Sequence, residues 1–232
     1  MDIVFALGFL LGMQHAMEAD HIAAVAAITH NNSSRKTALT YGCAWALGHS
    51  FALLVLVLIM LGSGFVISDA MSHWMEFTVG IMLIFLSSRV IMTAKQKRMH
   101  IHIHSHVGGL KHIHTHCHTA DVPSDHTNKA HTAPKKAKLP LLIGLLHGVA
   151  GSAALIVVFA ATSLTSPWLA VGYIMFFGAG SILGMGALSL AFSVPVGWLQ
   201  NKASWGEFTV SLGVGFSALG IGIHRCIISM PV

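Results

Sequence analysis

The stretch from Leu11 to Val25, LGMQHAMEADHIAAV, sets two imidazoles and two carboxylates inside an otherwise apolar run: His15, Glu18, Asp20 and His21. Imidazoles beside carboxylates form a donor set suited to divalent transition metals such as nickel, cobalt, copper or zinc. A ligating imidazole also needs a partner for its second ring nitrogen, and Asp20 or Glu18 can provide it. On a regular helix turning about 100° per residue, with His15 at zero, Glu18 falls near 300° and His21 near 240°, whereas Asp20 falls near 140°. The first three share a face and Asp20 does not. Either Asp20 orients a ligand from behind, or the helix unwinds locally, which is tolerated where backbone lines a cavity or is covered by protein. His49, in ALGHSFAL, and His147, in LLHGVAG, add two more imidazoles within apolar segments. Each of these two, taken singly, also reads as a hydrogen-bonded packing residue, and the cluster of His15, Asp20 and His21 also reads as a proton relay or salt-bridge network. The candidate metal set is therefore His15, Glu18, Asp20, His21, His49 and His147.

A second group has a different character. Residues 100–118, HIHIHSHVGGLKHIHTHCH, carry His100, His102, His104, His106, His112, His114, His116 and His118, with His126 and His131 following, out of seventeen histidines in the chain. Alternating histidine in a low-complexity tract reads as metal buffering without fixed geometry. Cys117 adds a thiol. The tract has no apolar core to offset its ordering entropy, so the sequence predicts no stable fold there. It suits loading of an exporter, holding of imported ions, or sensing of cytoplasmic metal equally well.

The elements that must position these groups follow from composition. Of 232 residues, 54% are hydrophobic and only 9% are charged, against about 25% charged in an ordinary soluble domain. The apolar residues come in runs long enough to cross a bilayer, which takes about 20 residues of helix. Six segments qualify, near 3–28, 41–67, 73–94, 139–163, 167–193 and 206–229, and the polar stretch 95–138 does not. A charge at the bilayer centre costs about 2.5–3.5 kcal/mol on insertion scales, so Glu18 and Asp20 must be protonated, paired or metal-bound. The +5 net charge does not indicate nucleic acid, because the basic residues lie in loops without interleaved aromatics for stacking. Cys43, Cys117 and Cys226 are scattered and imply no disulfide framework. The start of the chain lacks a basic n-region and a cleavage site, so no removable signal peptide is expected.

Lys and Arg set the orientation. Arg35 and Lys36, the many lysines of 95–138, and Lys202 follow spans one, three and five, whereas 68–72 and 164–166 carry none. The basic side is placed in the cytoplasm, with both termini outside, in a bacterial inner membrane. Arg225, near the outer end of span six, is the exception, facing either the protein interior or a lipid headgroup.

The chain also repeats itself. HWMEFTVGIML (73–83) matches SWGEFTVSLGV (204–214), with Trp74 and Glu76 in step with Trp205 and Glu207. LLGMQHAMEADHIAAV matches LIGLLHGVAGSAALIV with Gly12/Gly144 and His15/His147 in register, and GCAWALGHS (42–50) shares a spaced glycine pair with GYIMFFGAG (172–180). The offset is near 131 throughout. Three spans per copy force the second copy to enter from the other side, which gives two inverted repeats, 1–94 and 139–232, separated by the histidine-rich loop. Many transporters are built so, with a site near the midplane where the halves meet. Repeats also build purely structural bundles. The four tryptophan and glutamate repeat positions read as interface anchors and vestibule or cap residues.

No His-Glu-x-x-His protease motif and no Gly-x-x-x-x-Gly-Lys-[Ser/Thr] occurs, so neither a zinc protease nor a single-chain ATP-driven pump is expected. No enzyme activity is assigned. Buried histidines can also ligate haem iron, which remains a competing option, as does a metal-delivery module that binds without ion flux.

The runs Gln14-His15-Ala16-Met17-Glu18-Ala19-Asp20-His21-Ile22 and Leu47-Gly48-His49-Ser50 resemble two motifs of the nickel/cobalt permease family, Arg-His-Ala-x-Asp-Ala-Asp-His-Ile and Leu-Gly-His-Ser. Order and topology extend the resemblance over most of the chain. Gln14 replaces the motif's Arg and Glu18 its first Asp. The family's second-half motif Gly-Phe-Asp-Thr-Ala-Thr-Glu is replaced by LLHGVAGSAAL. With no extra leading span, the chain looks more like the shorter relatives described as urease-accessory or metal-efflux membrane proteins. The resemblance implies that His15, Asp20, His21 and His49 select and move Ni²⁺ or Co²⁺ as cargo, with no prosthetic group. The partners expected are the lipid bilayer, the divalent ion, protons displaced by metal binding, and cytoplasmic metallochaperones of urease or hydrogenase maturation.

Overall fold

The computed structural model describes residues 2–29, 34–64, 67–96, 100–105, 111–116, 133–151, 164, 166–202 and 206–230. Among them are seven helices: α1 (Asp2–His15), α2 (Ala19–Thr29), α3 (Arg35–Ser63), α4 (Asp69–Gln96), α5 (Ala133–Ala150), α6 (Pro167–Lys202) and α7 (Gly206–Ile228). Two strands, β1 (His100–Ser105) and β2 (Lys111–His116), lie between α4 and α5.

Four helices, α3, α4, α6 and α7, are long and apolar enough to cross a bilayer, and α1, α2 and much of α5 are shorter apolar helices. Their outward faces carry large apolar side chains, among them Leu10, Leu47, Phe51, Phe85, Leu146 and Phe216, while His15, Asp20, His21, His49 and His147 are buried. Polar groups inside and apolar groups outside is an arrangement that only a lipid environment favours. The chain is a helical membrane protein.

The sequence expects one continuous span over 3–28. The structure divides it into α1 and α2 at Ala16–Glu18. Ala16 N–H still bonds to the Gly12 carbonyl at 3.2 Å, but Met17 and Glu18 reach only three residues back, to Gln14 at 2.9 Å and His15 at 3.1 Å. This tightened turn resets the direction of the chain, and α2 begins with Ile22 bonding to the Glu18 carbonyl. Span four is described only as far as Gly151, because 152–163 lie outside the described residues. Its helix α5 begins at Ala133 rather than near 139, so Pro140 stands inside it.

α1 packs along α6, α5 along α3, α3 against α6, and α4 along α7. Glycine makes these contacts close. A Cβ on Gly12 would strike the Phe177 carbonyl and one on Gly180 the Phe9 carbonyl, which fixes α1 on α6. A Cβ on Gly144 would strike the Trp45 carbonyl and one on Gly48 the Leu141 carbonyl, which fixes α5 on α3. Backbones this near require the small residues that membrane helix interfaces favour. α3 ends on Gly64, at φ 67°, whose N–H bonds back to the Met60 carbonyl at 2.9 Å, the left-handed cap that glycine adopts without strain.

Where the sequence predicts no stable fold, β1 and β2 pair antiparallel, with His100 opposite His116, His102 opposite His114 and His104 opposite His112. The alternation of His with Ile and Thr has the two-residue period of a strand, which accounts for the pairing. His106 and His118 lie outside the described residues.

Candidate metal centre

Four elements converge on the break in span one. α1 ends on His15, α2 opens with Asp20 and His21, α3 contributes His49 from its middle, and the last turn of α5 contributes His147. Relative exposure is 4% for His15, 2% for Asp20, 1% for His21 and His49, and zero for His147. His15 Nε2 faces His49 Nε2 at 3.0 Å. The ring of His21 is 4.2 Å from that of His15, 5.2 Å from that of His49 and 4.4 Å from that of His147, centre to centre. Thus His21 is the hub.

Asp20 occupies the first turn of α2, where unpaired N–H groups and the helix dipole favour a carboxylate. Its Oδ1 accepts the His21 backbone N–H at 2.9 Å and also lies 2.9 Å from His21 Nδ1. That pairing places the ring proton on Nδ1 and leaves the Nε2 lone pair free, the usual way a carboxylate prepares a ligating imidazole. The other oxygen, Oδ2, reaches His147 Nε2 at 3.5 Å. The two alternatives left by the helical wheel therefore hold together: the helix does unwind, and Asp20 stands behind a ring. Glu18, in the bend, sets Oε1 2.9 Å from His15 Nδ1 but is 39% exposed, so it marks the rim of the cluster. That contact lies off the direction of a hydrogen bond, since His15 Nδ1 has no hydrogen-bond partner.

Buried ring nitrogens without a hydrogen-bond partner are His15 Nδ1, His21 Nε2, His49 Nδ1 and both nitrogens of His147. Orphaned buried polar atoms are rare, and a cluster of them points to a missing partner such as an ion. Two overlapping triads have donor atoms close enough to hold one ion: His15, His21 and His49, and Asp20, His21 and His147. All six candidate residues are thus within one neighbourhood, five of them buried and Glu18 at its edge.

Sequence reasoning did not single out Trp45, which is fully buried. Its ring lies 5.2 Å from that of His21 and 5.4 Å from that of His147, and its Nε1 has no partner. Its signal was its place one helical turn before His49, on the same face of α3. Phe177 covers His15 at 5.4 Å. Ser181 closes the α1 side by donating to the Gly12 carbonyl at 3.2 Å, which also accepts the Ala16 N–H. Arg225 faces the protein interior, with Nη2 3.7 Å from Asp20 Oδ2 and Nη1 3.8 Å from Glu76 Oε2. Trp205 lies outside the described residues, and Glu207 lies in the first turn of α7.

Fold and site together define a polytopic helical membrane protein with an imidazole and carboxylate cluster at a broken span. The chain belongs to the family of the urease accessory protein UreH, as its resemblance to the shorter relatives of the nickel/cobalt permeases leads one to expect. It is 32% identical to UreH of Bacillus sp. (strain TB-90) over 221 residues, covering 95% of this chain and 89% of that one. It is also 26% identical over 229 residues to the chloroplast protein FOR GROWTH AND FERTILITY 1 of Arabidopsis thaliana, covering 93% of this chain but only 58% of that longer protein. No family model and no solved structure matches the chain.

Proposed function

We propose that this protein carries a divalent transition-metal ion, Ni²⁺ or Co²⁺, across the membrane through the buried histidine cluster. The observation that carries this reading is the set of unpaired imidazole nitrogens gathered around His21 in a lipid-embedded interior. His15, His21, His49 and His147 would exchange for waters of the incoming ion, and Asp20 and Glu18 would supply negative charge. Metal and protons compete for the same imidazole and carboxylate donors, which is the basis proposed for coupling to a proton gradient.

We further propose six spans in two inverted repeats, a reading that reciprocal glycine packing supports. Gly12 lies against Phe177 and Ser181, and Gly144 against Trp45 and His49. Within each of the pairs Gly12/Gly144, Trp45/Phe177 and His49/Ser181 the numbers differ by 132, as they do for the contacts of Gly180 with Phe9 and Gly48 with Leu141. In this register the counterpart of Gly48 is Gly180 rather than Gly178. Such reciprocal packing is what a two-fold axis in the membrane plane produces, with discontinuous helices meeting at the site. The basic loops then lie in the cytoplasm of a bacterial cell, and the histidine-rich tract 100–118 buffers metal there.

The printed name of the Bacillus relative favours a second shade of this reading, in which the ion is passed to urease maturation, and the direction of movement is set accordingly. Nickel flux in sealed proteoliposomes of known orientation tests the proposal. Flux should be present in wild type, respond to a pH gradient, and be lost in His21→Ala. Absence of flux in wild type, with nickel bound, would leave a delivery protein instead.

A further inference from the structure

The cluster holds a fixed cation that metal binding does not use. Arg225, in the last turn of α7, spans two carboxylates with two different nitrogens: Nη2 lies 3.7 Å from Asp20 Oδ2 and Nη1 lies 3.8 Å from Glu76 Oε2. Both distances exceed the 2.7–2.9 Å or so of a hydrogen-bonded ion pair, so the guanidinium is committed to neither. The two carboxylates differ in depth, Asp20 being 2% exposed and Glu76 22%. Ser229 donates to Glu76 Oε2 at 2.7 Å and so fixes the shallower one in place.

A divalent ion gathered by His21 and His147 would stand within a few ångströms of this guanidinium, because both rings contact Asp20. Like charges that close repel strongly where water does not screen them. Arginine cannot relieve the repulsion by losing its proton. It can relieve it by moving toward Glu76, the shallower of its two carboxylates.

We propose that Arg225 is a tethered counter-cation of the metal site: it neutralises Asp20 while the ion is absent and withdraws onto Glu76 as the ion binds. The inference rests on the transport reading above. The competition keeps the site from holding its ion too tightly and speeds release. Arg225 is then a positioning residue, acting on the ion without ligating it, through Asp20 and through the repulsion of its own charge.

Steady-state nickel transport by the full chain in proteoliposomes separates the possibilities, because KM and maximal rate should move together in an uncommon direction. Arg225→Gln should lower KM about tenfold and also lower the maximal rate, since an ion without its competitor binds well and leaves slowly. Arg225→Lys, which keeps the charge but can lose its proton and cannot span both carboxylates, should fall between wild type and Arg225→Gln in KM. Glu76→Gln removes the retreat, confines Arg225 to Asp20, and should raise KM about tenfold. A residue needed only for packing would raise KM or abolish transport in Arg225→Gln. An unchanged or raised KM in a folded Arg225→Gln overturns the proposal. Should that variant fail to fold, a Glu76→Gln protein with unchanged or lowered KM overturns it as well. Wild type that transports no nickel defeats the transport reading itself, and this inference with it.

Discussion

The two ends of the site differ in what each half of the chain brings to it. The first half contributes His15, Asp20, His21 and His49, together with Glu18 at the rim; the second contributes His147. Yet the scaffolds beneath are alike. Gly12 meets a carbonyl of α6 as Gly144 meets a carbonyl of α3, and Ser181 stands beside Gly12 as His49 stands beside Gly144. Where one half sets an imidazole against another ring, the other sets a hydroxyl against a backbone carbonyl. The close glycine packing is present in both helix pairs, whereas most of the candidate donors lie in the first half. The lesson is physical: close backbone approach requires small residues in both helix pairs, whereas one set of donors is enough for one candidate site.

The sharpest way to break this comparison is to remove donors from each half. His21→Ala should reduce nickel flux at least ~100-fold. It deletes the hub ring and also leaves Asp20 without its closest partner, a cost of several kcal/mol for a buried charge. Asp20→Asn keeps the shape but frees the ring tautomer, and should cost about 10–100-fold in metal affinity, the usual range for loss of an orienting carboxylate. His147→Ala should cost about tenfold, less than His21→Ala. Equal losses in His21→Ala and His147→Ala would mean that the halves share the chemistry after all.

The packing side of the comparison predicts equality instead. Gly12→Val and Gly144→Val each drive a side chain into a facing carbonyl, and overpacking of this kind costs about 1–3 kcal/mol or more. Both should lower the thermal midpoint of the detergent-solubilised protein by similar amounts. A large fall in one alone would contradict the reciprocal architecture. The smallest effect is expected from Ser181→His, which restores to the second half an imidazole at the place matching His49. It should tighten nickel binding by only about threefold, since the larger ring must fit beside Gly12, where the α1 and α6 backbones approach closely.

Much of this was legible beforehand, for identifiable reasons. Charges in apolar runs are costly, so Asp20 and the buried histidines stood out from composition alone. Helical periodicity placed His15 and His21 together but misplaced Asp20, because angles on a wheel assume unbroken hydrogen bonding and the bond pattern shortens at Met17 and Glu18. The same break divides the first expected span into two short helices, and the fourth is described only as far as Gly151, so four long spans stand among the described helices. Trp45 escaped notice because a tryptophan in an apolar helix carries no charge to explain. Arg225 was marked as anomalous, but only folding brings the end of α7 beside the start of α2. The pairing of 100–105 with 111–116 was missed because composition was weighed above the two-residue period.

Nickel K-edge X-ray absorption tests the central claim most directly, on a chain whose histidines at 100–118 are replaced by serine and which is loaded with one nickel per molecule. The account predicts the multiple-scattering signature of three or four imidazoles about the ion, reduced in His21→Ala. A shell of oxygen alone, or a spectrum unchanged by that substitution, would contradict it.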